Sequence, residues 1–169
     1  MWEPIDEPSR INFFAGRLVT AEDLTSEQSS SRERQWRHNR LLHGFGVVTG
    51  LEVTVEDDSI VVSPGLAIDP LGREVVLTAS QRLDCASVGR QPQRRLDVAI
   101  AWAEEPADEV PGPDGAVPGR FVERPRVLLA EHPHGDTAQH AVRLARLGRQ
   151  DHQLHADPSV RRQVRHCWE

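Results

Sequence analysis

Lysine is missing from this chain: all 20 basic residues are arginine. With so much arginine and alanine, the absence reads as a GC-rich coding bias rather than as chemistry, although guanidinium groups suit planar, bidentate pairing with carboxylates at interfaces. Cysteine is scarce. Cys85 and Cys167 stand far apart in no metal or redox spacing, which predicts two reduced thiols. No apolar run approaches the ~18 residues of a membrane-spanning helix, so no membrane insertion is expected. The opening Met1-Trp2-Glu3-Pro4-Ile5-Asp6-Glu7 is acidic and has no apolar stretch, unlike a secretory signal. The expectation is a protein kept in the cytoplasm, or one leaving it by another route. Excess positive charge is also lacking. A net charge of −6 argues against broad phosphate binding, so nucleic acid is not an expected partner.

What remains is ordinary for a soluble globular chain, with 38% hydrophobic and 27% charged residues in a length of 169. A chain of this size buries roughly 70% of its unfolded surface, so a core needs neither metal nor disulfide. Residues 1–20, with Pro4 and Pro8, read as an extended N-terminal arm. Thr20-Ala21-Glu22-Asp23 has the pattern of a capping box, and no Pro or Gly interrupts the chain until Gly44, which predicts a helix over 21–43. Its larger or packing-capable positions, Leu24, Gln28, Trp36, Leu41 and Leu42, do not make a continuous apolar stripe. A polar helix spanning about 33 Å is either a solvated strut or an element that packs on a partner.

Past Gly44-Phe45-Gly46 the hydrophobic period falls to two. Val47 to Val55, Ile60 to Val62, Leu66 to Ile68, Glu74 to Leu77, Leu96 to Trp102, Phe121 to Ala130 and Ala141 to Leu147 read as strands. Asp69-Pro70-Leu71-Gly72-Arg73 carries hairpin chemistry between two of them. The density of Pro and Gly between 106 and 119 reads as a long, mobile loop. The fold class expected is therefore α+β and mainly β: an arm and one long helix, then an antiparallel β-sandwich or barrel-like domain over 44–169.

No catalytic constellation stands out. His132, His134, Asp136 and His140, with His152, His155 and Asp157 downstream, are metal-ligating types, but Pro133 and the spacing match no helical zinc pattern. A polar turn between strands is the simpler reading, and neither a metal nor any cofactor is expected. Cys85 has no elbow around it, and Ser63 sits in a turn before Pro64-Gly65. Glu104-Glu105 and Glu56-Asp57-Asp58 fall where exposed turns place charge. Gly44, Gly46 and Gly50 do not form a dinucleotide fingerprint. Arg32, Arg34, Arg37 and Arg40 with His38 form a basic helix stripe, read first as a solvated face and next as a dock for an acidic protein. Trp36 either packs back onto the β domain or anchors an interface.

Two blocks carry a family resemblance. Ile11-Asn12-Phe13-Phe14-Ala15-Gly16-Arg17-Leu18-Val19-Thr20-Ala21-Glu22-Asp23-Leu24 and Arg37-His38-Asn39-Arg40-Leu41-Leu42-His43-Gly44-Phe45-Gly46-Val47-Val48-Thr49-Gly50-Leu51 resemble phage-tail-like structural proteins encoded with contractile injection systems, in baseplate-associated or fibre-adaptor roles. Val62-Ser63-Pro64-Gly65-Leu66-Ala67-Ile68-Asp69 and Gly72-Arg73-Glu74 look like the same module's hairpin. The resemblance implies a non-enzymatic structural subunit, a small adaptor or plug, whose partners are other subunits of the particle, with a homo-oligomer as a further option. On that reading Phe13, Phe14, Leu24, Trp36, Arg37 and Phe45 supply partner contacts, and Gly44, Gly46, Gly50, Gly65 and Gly72 make the structural turns. The alternative from another class is a module that recognises carbohydrate or metal through its Pro/Gly and His-rich loops. A metal-dependent hydrolase is a third.

Overall fold

The computed structural model describes residues 9–85, 96–130, 140–150 and 153–164. His132, His134, Asp136, His152 and Cys167 of the sequence reading lie outside the described residues. From residue 9 to 19 the chain has no regular structure beyond a turn at Ala15-Gly16. Helix α1 follows at Ala21–His38 and continues as a π-helical turn, Asn39–His43. Together these fill the span expected for the helix. Gly44 ends it at φ 74°.

The rest of the described chain is antiparallel β-structure. Strands β1 (Gly46–Gly50), β4 (Gly65–Ile68) and β5 (Glu74–Leu77) form one sheet, in the order β1-β4-β5. β2 (Val53–Glu56), β3 (Ser59–Val62) and β6 (Gln81–Asp84) form a second, in the order β2-β3-β6. β7 (Leu96–Ala101), β10 (Arg126–Ala130), β11 (Val142–Gln150) and β12 (Gln153–Asp157) form a third, ordered β10-β7-β11-β12. β8 (Glu104–Gly112) and β9 (Gly115–Glu123) pair only with each other. Among the described residues no sheet closes into a barrel. Val47, Leu51, Ile60, Val62, Val75, Leu77, Val98, Ile100, Val142 and Leu144 meet in one core, each at most 5% exposed. Strand β7 is central in its sheet and buried along almost its whole length, whereas β5 alternates inward and outward.

The run from Val47 to Val55, which reads as one strand, is two. Gly50 and Leu51 both adopt left-handed φ, at 61° and 59°, and the chain leaves the first sheet for the second. A left-handed leucine is strained, yet Leu51 is fully buried and anchors the core. The strain is held by the far end of the chain. The Arg161 guanidinium donates to the Leu51 carbonyl at 2.7 Å and to the Gly50 carbonyl. Val47 and the terminal segment then zip together, Val47 N–H to Arg162 O at 2.7 Å and Val164 N–H to Val47 O at 3.1 Å.

The stretch at 106–119 corrects the expectation of a mobile loop: it forms most of the β8–β9 hairpin. In a two-stranded ribbon each strand has a free edge, so Pro106, Pro111 and Pro118 lose no ladder bond that a central strand would need. Pro113-Asp114 between Gly112 and Gly115 is a favourable tight turn, with proline at the second position and glycine at the fourth. The prolines that suggested a loop instead mark edges.

Replacing Arg161 by alanine removes two charged hydrogen bonds to backbone carbonyls in a side chain only 13% exposed. We expect a loss of about 1.5–3 kcal/mol in urea unfolding at unchanged m-value. A loss below about 0.5 kcal/mol, within the range of ordinary surface substitutions, would show that Leu51 needs no clamp.

Candidate protein–protein interface

The arm and helix are joined before either meets the β domain. Thr20 Oγ1 accepts from Asp23 N–H at 3.2 Å while the Asp23 carboxylate accepts from Thr20 N–H at 3.3 Å. Backbone and Thr20 hydrogen bonds at the helix start hold the Glu22 carboxyl below its ordinary range. Arg17 bridges the two segments: it pairs with Asp23 at 2.8 Å, donates to the Asn12 carbonyl at 2.9 Å and lies 5.9 Å from the Phe13 ring centroid. A bent arm is thereby held with Phe13 half exposed and Phe14 turned outward.

The helix docks on the β domain through a stripe at positions 32, 35, 36 and 39, a helical spacing that puts them on one face. The stripe is polar. Arg32 pairs with Glu104 at 3.0 Å, Gln35 Nε2 donates to Glu74 at 2.7 Å, and the buried Asn39 Nδ2 donates to the Gly72 carbonyl at 3.0 Å. Trp36 packs edge-on against Trp102, ring centroids 6.5 Å apart. Each indole also carries a guanidinium, Arg32 at 5.0 Å from Trp36 and Arg73 at 4.4 Å from Trp102. Arg73 is held in turn by the fully buried Asp69 at 2.6 Å. A continuous series of charge and ring contacts thus runs from the β4–β5 turn to the hairpin root. Beside it α1, β5 and the hairpin border a cleft of about 620 Å³, with Gln28, Trp36, Val76, Trp102 and Phe121 among its walls.

The residues expected to contact partners fall into two sets. Phe13, Phe14 and Leu24 are 50%, 63% and 60% exposed and form the outer surface of the arm and helix start. Trp36 and Phe45 are half-buried and already have partners within the chain, Trp36 on Trp102 and Phe45 beneath the Arg162 guanidinium at 3.8 Å. Arg37 is half-buried on the flank of the helix. Leu41 and Leu42, which read as packing positions, are instead exposed, as is Leu18. Of the turn glycines, Gly44, Gly46, Gly50 and Gly72 take positive φ. Gly65 does not; it lies against the backbone of Thr49 to Leu51, where a Cβ has no room. Gly72 meets both demands, with φ 90° and the Trp36 carbonyl directly above it.

Other chemical candidates are taken up structurally. Burial pushes the Cys85 thiol up, the wrong direction for a nucleophile. Ser63 donates to Glu52 at 2.6 Å in a turn, and that bond holds the Glu52 carboxyl down. Asp157 accepts from Ser159 N–H at 2.8 Å and caps a short 3₁₀ turn. Among the described residues, no group of three or more His, Cys, Asp or Glu is placed to hold a metal ion. No helix among them is long and apolar enough to cross a membrane.

No protein-family model matches the chain, and no curated protein matches it in sequence. In fold it is similar to solved baseplate proteins of the type VI secretion system. A chain of the TssK–TssF–TssG baseplate subcomplex, solved by cryo-electron microscopy, gives a TM-score of 0.59 at 16% identity, over 89% of this chain and 60% of that one. A chain of the type VI baseplate complex gives 0.55 at 14% identity, over 90% and 58%. The crystal structure of TssK gives 0.51 at 12% identity, over 88% and 40%. The likeness is one of fold, and this chain spans at most 60% of the length of these structures.

Gly72→Ala sets a methyl group against the helix backbone at Trp36. The helix should lift from the β domain at a cost of about 1–3 kcal/mol, removing the Trp36–Trp102 exciton couplet from the circular dichroism spectrum while the β signal persists. Retention of the couplet at wild-type stability would show that the contact yields elsewhere.

Proposed function

We propose that this chain is a non-enzymatic structural subunit of a contractile, phage-tail-like injection particle, with a baseplate or adaptor role exerted through protein–protein contacts. The observation that carries the reading is a fold shared, over about nine-tenths of the chain, with type VI secretion baseplate proteins. The exposed arm supports it. Phe13, Phe14, Leu18 and Leu24 gather large apolar surface at one end, held by Arg17, as expected of a segment that lies across a neighbour. Partners are other subunits of the particle, and assembly takes place in the cytoplasm. The half-buried Trp36 and Phe45 have partners within the chain and support the surface more than they anchor it, whereas Arg37 has no ion pair among the described residues.

The test is mild affinity purification from native cells, then sedimentation and mass spectrometry. Co-sedimentation with sheath, tube and spike proteins is the expected result, and Phe14→Ala with Leu24→Ala should abolish it without changing the thermal midpoint of the purified chain. Recovery as a small free species, without such partners, would overturn the role.

A further inference from the structure

Among the described residues, the tip of the β8–β9 hairpin and the outward face of α1 are exposed surfaces of opposite charge. The hairpin carries Glu104, Glu105, Asp108, Glu109, Asp114 and Glu123 against Arg120 alone. At its root Glu104 is taken by Arg32 and Glu105 by Arg124 and Arg126, and Asp108 faces Arg120. Toward the tip, Glu109 and Asp114 have no ion pair among the described residues. The cross-strand pair Val110 and Val117 is 43% and 40% exposed there. A lone two-stranded ribbon is marginal in water and gains most from a surface to cover its apolar face. Because Pro106, Pro111 and Pro118 strip donors from its edges, the ribbon is suited to docking by that face rather than to recruiting another strand.

At 100° per residue along α1, Arg34 and His38 lie opposite the docking positions Arg32 and Trp36, with Arg37 on the flank. Leu41 and Leu42 are 62% and 58% exposed. Arg37 has no ion pair among the described residues, and Arg34 donates only to the Ser9 carbonyl, at 3.0 Å. This is an apolar patch set in positive charge, complementary to the hairpin tip. The hairpin of the same chain lies on the other side of the helix, where Gly119 to Phe121 border the cleft beside Gln28 and Arg32. The two surfaces therefore face different directions within one copy.

We infer that they meet between copies: the acidic, apolar tip of one hairpin docks on the Arg34–Arg37–Leu41–Leu42 face of the next chain. The contact uses different patches on the two copies, so it is head-to-tail and closes into a ring or runs on as a filament. It involves this chain alone and stands or falls apart from the particle role above.

The test is sedimentation velocity of the full chain across micromolar to submillimolar concentrations, at low and high salt. Self-association that salt weakens is expected. Arg34→Glu with Arg37→Glu, or Glu109→Arg with Asp114→Arg, should each weaken it about a hundredfold or more by placing like charges opposite. All four substitutions in one chain should restore it, which a folding defect would not allow. A monomer under every condition, association indifferent to either pair, or failure of the combined variant to recover would each overturn the inference. Unchanged circular dichroism spectra would confirm that the variants are folded.

Discussion

The placement of the helix depends on one close approach, the backbone of Gly72 beneath the carbonyl of Trp36. Asp69 builds the turn that brings Gly72 there, accepting from the backbone N–H groups of Leu71 and Arg73 at 2.9 Å each and from the Arg73 side chain. The glycine carbonyl then receives the buried Asn39 amide, and the Arg73 guanidinium that closes the turn covers Trp102. A turn in the β domain thus sets the azimuth of a helix that buries no residue along α1 itself. With the inward face fixed, the outward face follows from helical geometry, including which arginines and leucines are turned away from the β domain.

Polar docking of this kind explains what was legible in the sequence and what was not. The helix limits were readable because caps are local: Thr20 with Asp23 at one end and Gly44 at the other act on adjacent backbone. Strands with a period of two, such as β5, were readable for the same reason. The helix's orientation was not. Periodicity searches for apolar stripes, and the stripe that docks is Arg32, Gln35, Trp36 and Asn39, whose affinity comes from named partners at 72, 74, 102 and 104 rather than from burial of alkyl surface. The hairpin was missed through a rule applied one step too far. Proline excludes a central strand, but a ribbon with two free edges tolerates it, and Pro113-Asp114-Gly115 was the available turn signal. The division at Gly50-Leu51 had no local sign either, because a left-handed leucine is stable there only through Arg161, over a hundred residues downstream.

The same physics separates the residues expected at an interface. An aromatic side chain in a polar helix is a good indicator of packing, but not of where the packing occurs. Trp36 finds Trp102 and Arg32, and Phe45 finds Arg162, so the strongest apolar groups near the middle of the chain are spent internally. Phe13, Phe14 and Leu24, by contrast, are left largely exposed among the described residues. Large exposed apolar groups lower solubility, and an arm already ordered by Arg17 would lose less entropy on being covered than a free one.

The division of labour among the charges follows from the missing lysine. Every cation is a planar guanidinium that can stack on a ring and pair with a carboxylate at once, as Arg32 does between Trp36 and Glu104 and Arg73 between Trp102 and Asp69. A compact ammonium would satisfy the carboxylate but not the indole, and the helix would lose half of each contact. Arginines directed inward therefore serve as structural elements, whereas Arg34 and Arg37, on the same helix but turned outward or to the side, form no ion pair among the described residues. A single residue type supplies both the inward contacts of the helix and the charge on its outer face, and helical phase separates the two.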